Sequence, residues 1–359
     1  MICENVARFP LSEHFFRTHY GGGESFDENA VYGYTPQMLR RTYSFLPATE
    51  ANGIKICIIC AFDNIGIKEN MRAFCERFGL SVPDMSVYYP QGEGQTATRQ
   101  WLVESSLDTQ WASVFAPGAE ICVVFARNAQ VENLLDAALF ASQSLSADVV
   151  SMSFGTEESG IDESLSGFMA NSDSIFVASS GDVGGKTSFP SASPHCISVG
   201  GTNLTLDGGG KRILETAWIN GGGGISDIFE IPPWQGRFYN IYGMTDGKRG
   251  TPDVSMMANM SPGAAAYVSQ LGGWTTVGGT SLSAACFAGI CACIKKKNPE
   301  INNSADMLYY LYGKAGNIGY DMPQYNFNDI TFGRSGENFA QPGWDFATGL
   351  GSPVASRLF

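Results

Sequence analysis

The chain has 359 residues, 44% of them hydrophobic and 16% charged, with 43 glycines and a formal net charge of −13. That length buries a sizeable core, in one large α/β domain or two smaller ones, and the composition excludes a disordered chain. The negative balance argues against a nucleic-acid surface; it suits ordinary acidic solubility, or work in acid where protonation would remove much of the charge.

The first residues, MICENVARFPLSEHFF, show no basic stretch leading into a long apolar one. Neither a signal peptide nor a transmembrane span is expected from them. Residues 54–62 (IKICIICAF) read as a buried strand and residues 67–78 as the helix after it. Residues 96–115 (TATRQWLVESSLDTQWASVF) carry apolar side chains at helical spacing. Residues 120–126 (EICVVFA), 147–153 (ADVVSMS) and 174–179 (SIFVAS) are further short apolar strands, with helices expected over 131–144 and 160–170. Strands alternating with helices predict a parallel central sheet with helices on both faces. After Pro190 glycine clusters and short segments dominate, until a small-residue helix over 282–294.

Nine cysteines are present, and Cys57, Cys60, Cys122, Cys286, Cys291 and Cys293 lie inside apolar runs. They read as buried free thiols and point to a reducing compartment. Cys57 and Cys60 are three apart on a strand and face opposite ways, so a zinc pair is not expected.

Three places carry chemistry. Ser281 follows Gly278-Gly279-Thr280 at a helix start, where backbone N–H groups surround its hydroxyl. That suits a nucleophile whose attack creates an oxyanion, although a plain helix cap reads the same way. Histidine is the usual base, but His14, His19 and His195 all lie outside any His-Gly-Thr helix context. Glu104 and Asp108 stand one helical turn apart, so two acids share a face and cannot both ionise cheaply. On an exposed helix the same spacing would mean nothing. Asp182, in SSGDVG directly after a strand, sits where open α/β sheets place ligands, or is a turn residue.

These pieces together resemble the sedolisins, the serine-carboxyl peptidases with a subtilisin-like fold. GGTSLSAACFAG is similar to that family's nucleophile motif, SSGDVG to its oxyanion segment and ESSLD to its acid helix. FPSASPHCISVGGT, GGGGISDIFEIPPWQ, RGTPDVS, NDITFG and GWDFATGLGSP continue the likeness in order. It begins at YTPQMLRRTY, so it covers residues 34–359 as one peptidase domain, preceded by a short extension over 1–33 with no full prodomain; either this protein lacks the family's long prodomain or the chain is a processed or truncated form.

The resemblance implies roles. Ser281 would be the nucleophile, Glu104 its base, Asp108 the partner of Glu104, and Asp182 a protonated donor to the oxyanion. A carboxylic acid donates a proton and a carboxylate does not, so acid activity follows. Ser153, Phe154 and Gly155 would pair with the substrate backbone. Asp329 and Asp345, with the carbonyls of Ile330, Gln341 and Gly343, would hold one Ca²⁺. Ala285 stands where the family usually has proline, and Gln341 where it has glycine. The expected protein is a monomeric endopeptidase acting on polypeptides, with no nucleic-acid or membrane partner. The rival is a catalytically silent peptide-binding protein on the same fold. A glycosidase using Glu104 and Asp108 is disfavoured, because one helical turn does not set two acids on opposite sides of a sugar bond.

Overall fold

A computed structural model describes residues 31–92, 96–159, 163–315 and 326–359. His14, His19 and most of the N-terminal extension lie outside the described residues. Seven parallel strands form the centre: β1 (Lys55–Ala61), β2 (Met85–Tyr88), β3 (Glu120–Ala126), β4 (Val149–Met152), β5 (Ile175–Ser179), β6 (Ile197–Leu206) and β10 (Val254–Met257). Their order is β10-β6-β5-β4-β1-β3-β2, and β7 (Arg212–Ala217) adds antiparallel to β6. Consecutive residues of β1, β3, β4 and β5 are buried, so both faces of the sheet are covered. This is the expected subtilisin-like α/β architecture. Strand order turns at β1, between β3 and β4; Ser153 follows the carboxyl end of β4 and Asp182 that of β5, while Glu104, Asp108 and Ser281 come from helices.

Two helices carry the site. The helix Arg99–Val114 is buried on every side, from Val103 to Val114 without a break. The helix Thr280–Lys297 is buried from Thr280 to Ile294 and ends in Lys295, Lys296 and Lys297, which favour the negative end of its dipole. The two pack against each other, and the second also lies on β4, β5, β6 and β10. Small side chains allow the approach. A Cβ on Gly289 would stand 2.6 Å from the Ala112 carbonyl oxygen and 2.8 Å from the Phe115 backbone, so only glycine fits there.

Several sequence expectations change. Residues 160–170 do not form one helix. Glu163–Ser166 is a 3₁₀ turn and Gly167–Ala170 a single helical turn, while 160–162 lie outside the described residues. Two serines and a glycine in 163–167 compete with helical bonding and shorten the element. The glycine-rich stretch after Pro190 supplies two core strands, β6 and β10, rather than short segments alone. The eight cysteines within the described residues are buried and free. No helix among the described residues is long and apolar enough to cross a membrane.

Candidate active site

The acid helix starts at Thr98, whose hydroxyl accepts the Trp101 N–H. Its buried polar side chains mostly satisfy themselves. Ser105, Ser106 and Thr109 donate back to the carbonyls of Trp101, Leu102 and Ser105 at 2.7–2.8 Å. Gln110 makes a two-way bond to the Tyr267 main chain (2.8 and 3.0 Å), and Trp111 Nε1 donates to the Ala265 carbonyl. Those anchors lie on β11 (Ala264–Val268), which pairs with β12 (Gly273–Val277), and β12 runs into the Ser281 turn. The helix holding the acids is thus tied to the hairpin that delivers the serine.

Glu104 and Asp108 are the exceptions on this helix. Both are fully buried. Among the described residues neither Glu104 oxygen has a hydrogen-bond partner, and Asp108 has one: Ser153 Oγ donates to its Oδ1 at 2.9 Å. Burial first, and Asp108 beside it second, push the Glu104 carboxyl well above the usual range. Burial also raises Asp108, and the Ser153 hydroxyl partly offsets it. An acid pair in this setting keeps a proton in the acid range.

Ser281 enters from the facing helix. Gly279 sits at its cap with φ +85°, a left-handed conformation that glycine takes freely. A Cβ there would lie 2.7 Å from Asp182 Oδ2, so the glycine also keeps that oxygen's space clear. Ser283 donates to the carbonyls of Met256 and Met257 and pins the first turn to the end of β10. The Ser281 hydroxyl faces Glu104 and favours its ionised form, although neither completes full hydrogen-bond geometry. Catalytic bonds are often loose before substrate binds and tighten with it.

Asp182 reaches the same turn from the loop after β5. The Thr280 N–H (2.9 Å) and Thr280 hydroxyl (2.7 Å) both donate to its Oδ1. Oδ2 is buried and has no partner. Burial lifts the Asp182 carboxyl to about 7 despite both bonds from Thr280. With Oδ1 occupied as an acceptor, a proton on the neutral acid belongs on Oδ2.

The structure therefore brings the buried Glu104, Asp108 and Ser281 together with Asp182, a half-buried residue whose Oδ2 is buried. His195 is not among them. Its backbone bonds to Ser193, Glu163 is the charge facing it, and burial lowers its pKa. Of the proposed substrate edge, Ser153 and Phe154 are buried and Gly155 is half-buried. Thr156, just beyond, pairs antiparallel with Phe189. Thr280, and the Ser153 side chain as the partner of Asp108, were not legible in sequence.

The tail residues also meet. The Gly343 N–H donates to Asp329 Oδ2 (3.0 Å), and the Gln341 N–H to Asp345 Oδ2 (2.9 Å). Asp345 Oδ1 takes the N–H groups of Ala347 and Thr348. Among the described residues neither aspartate forms an ion pair. Both carboxylates thus adjoin the 341–343 loop without a cationic partner among the described residues, and carboxylate oxygens are the hard donors that Ca²⁺ takes.

The chain matches the subtilase family (Peptidase_S8) over residues 104–351. Kumamolisin from Bacillus sp. (strain MN-32) is 31% identical over 368 aligned residues, which cover 90% of this chain and 63% of that protein. Mouse (Mus musculus) tripeptidyl-peptidase 1 is 26% identical, covering 89% and 63%. The chain thus spans about 63% of the length of both relatives. Among solved structures, Pseudomonas sedolisin, a serine-carboxyl proteinase complexed with two molecules of pseudo-iodotyrostatin, superposes with a TM-score of 0.79. That match has 24% identity and covers 92% of this chain and 97% of that one. Sphericase superposes at 0.58 with 15% identity, covering 88% and 96%.

Proposed function

The chain belongs to the sedolisin branch of the subtilase family, and on that premise we propose that it is a serine-carboxyl peptidase working in acid. The observation that carries this reading is the meeting of the buried Ser281, Glu104 and Asp108 with the half-buried Asp182, with no histidine of the described residues among them.

The chemistry follows from the atoms. Glu104, ionised within the acid pair, takes the proton of Ser281 Oγ as that oxygen attacks the scissile carbonyl carbon. The carbonyl oxygen becomes an oxyanion, met by the Asp182 Oδ2 proton and by the Ser281 N–H in the first helical turn. Glu104 returns its proton to the leaving amine, and an acyl-serine remains. Water then attacks, gives a proton to Glu104, and the acid product leaves as Ser281 regains its hydrogen. Asp108 holds the proton that lets Glu104 alone carry the charge. Asp182 must be neutral, so activity belongs below about pH 7. The main chain of 153–155 pairs with the extended substrate.

Polypeptides are the substrate, and internal cleavage is the expected mode. A peptide-library digest at pH ~3–7, read by mass spectrometry, tests it. Tripeptides released from N-termini would replace that mode. No cleavage at any pH by the folded protein would overturn the reading.

Asp329 and Asp345, with the carbonyls of Ile330, Gln341 and Gly343, would hold the calcium ion. Bound there, the ion supplies charge that ties two loops together, at a distance from the reaction. Chelation with EGTA, or Asp345→Ala, is expected to lower the melting temperature, since a ligand of the native state stabilises it by about 2.7 kcal/mol at a hundredfold excess over Kd. An unchanged melting temperature when Ca²⁺ is removed and restored would dismiss the site.

A further inference from the structure

We propose that Ser153 is a positioning residue whose hydroxyl fixes Asp108 within the acid pair and thereby sets the pH at which Glu104 becomes a base. This rests on the peptidase reading for its kinetic consequence, but not for its geometry.

Ser153 follows β4 directly and is buried. Its Oγ–H reaches Asp108 Oδ1 at 2.9 Å, across 45 residues of sequence. The hydroxyls of Ser105, Ser106 and Thr109 turn back into the helix, so this bond comes to the pair from outside it. Asp108 Oδ2 and both Glu104 oxygens are buried without partners. Among the described residues, the other groups facing the pair offer it no positive charge. Cys60 faces it from β1 and Cys286 from the Thr280–Lys297 helix, both thiols held neutral by burial. Ser281 and Asp182 face Glu104.

The consequence is positional. Two acids one turn apart share a proton, and Ser153 occupies Oδ1 as a donor. The shared proton is left to Oδ2 of Asp108 and to Glu104. A hydroxyl donor favours the ionised pair, so it lowers the pH at which one proton leaves and Glu104 can act. Without it the singly ionised pair loses the donor that Asp108 receives from outside the helix, and that ionisation moves upward.

The test compares Ser153→Ala, Ser153→Thr and Ser151→Ala. Ser151 lies two residues earlier on β4, and its buried hydroxyl has no partner. In Ser153→Ala the acid limb of kcat/KM should move up by about one to two pH units, the scale of a hydrogen bond to a charged group. Ser153→Thr should restore the limb, and Ser151→Ala should leave it in place. Denaturation midpoints give a second readout that needs no activity. The deficit of Ser153→Ala against wild type should be small at pH ~3 and should grow as pH rises and the pair ionises. If Ser153→Ala does not fold, Ser153→Cys keeps the shape with a weaker donor and should show the same shifts, reduced. An unmoved acid limb, an equal shift in Ser151→Ala, or a deficit independent of pH would overturn the proposal. Should the wild type prove inactive, the peptidase reading fails while the denaturation series still decides the role of Ser153.

Discussion

Ser281→Ala is expected to lower kcat/KM on a denatured protein at pH ~4 by about five to six orders of magnitude, the scale seen when a serine nucleophile is removed from a working set. Alanine deletes one oxygen in a buried site and leaves Gly279, Thr280 and the helix intact, so circular dichroism should be unchanged. Glu104→Gln is expected to lose nearly as much at every pH, because an amide does not accept the serine proton. The two losses should not add in the double variant, since base and nucleophile act as a unit. Retention of more than about one per cent of activity in Ser281→Ala would be incompatible with a covalent serine mechanism. Equal, very low activity in wild type and both variants would favour a silent peptide-binding protein on this fold.

The second large effect belongs to Asp182. In Asp182→Asn the Thr280 N–H and hydroxyl still require an acceptor, so they draw the amide oxygen into the place of Oδ1. The amide NH₂ then points where the Oδ2 proton was. Activity at pH ~4 should fall by up to about a hundredfold, for a weaker and less well matched donor. Near neutrality the wild type should lose activity with rising pH while the variant stays level. Wild-type Asp182 is raised to about 7 by burial, so its donor is complete well below that pH and is lost above it. The amide does not titrate, and the alkaline limb near 7 should disappear. Asp182→Ala leaves no donor and should lose about a hundred- to a thousandfold at all pH values. Initial rates from pH ~3 to ~9 for the three proteins decide this. A limb near 7 that persists in Asp182→Asn would assign it to another group.

Much of this site was legible because its residues sit in strong local patterns. Residues 54–62, 120–126 and 174–179 are short apolar runs, and burial on both faces demands that texture. Glu104 and Asp108 stood out as acids among Trp101, Val103, Leu107 and Trp111, and the structure buries them both. The missing parts have no period to betray them. Ser153 meets Asp108 across 45 residues and Thr280 meets Asp182 across 98, and nothing local marks either bond. β2 is only four residues long and half-buried throughout, so its pattern is faint. β6 carries Gly200 and Gly201, which interrupt its apolar run. A Cβ at Gly201 would lie 2.6 Å from that of Ala258, which is why the strand needs a glycine.

Glu104 and Ser281 lie on two helices that pack together, yet 177 residues of chain separate them (281 minus 104). Synthesis from the N-terminus produces all three acids before the nucleophile exists. When Ser281 emerges, its helix must still settle on β4, β5, β6 and β10, with Gly289 against Ala112 and Phe115, before the hydroxyl faces its base. Closing so long a loop is slow, and the reward comes only when the non-local contacts form together. On the proposed mechanism, hydrolytic competence would therefore be among the last properties the chain acquires. On that mechanism a partly folded molecule would hold only a harmless set of acids, and any self-digestion would fall to the finished protein meeting its unfolded neighbours.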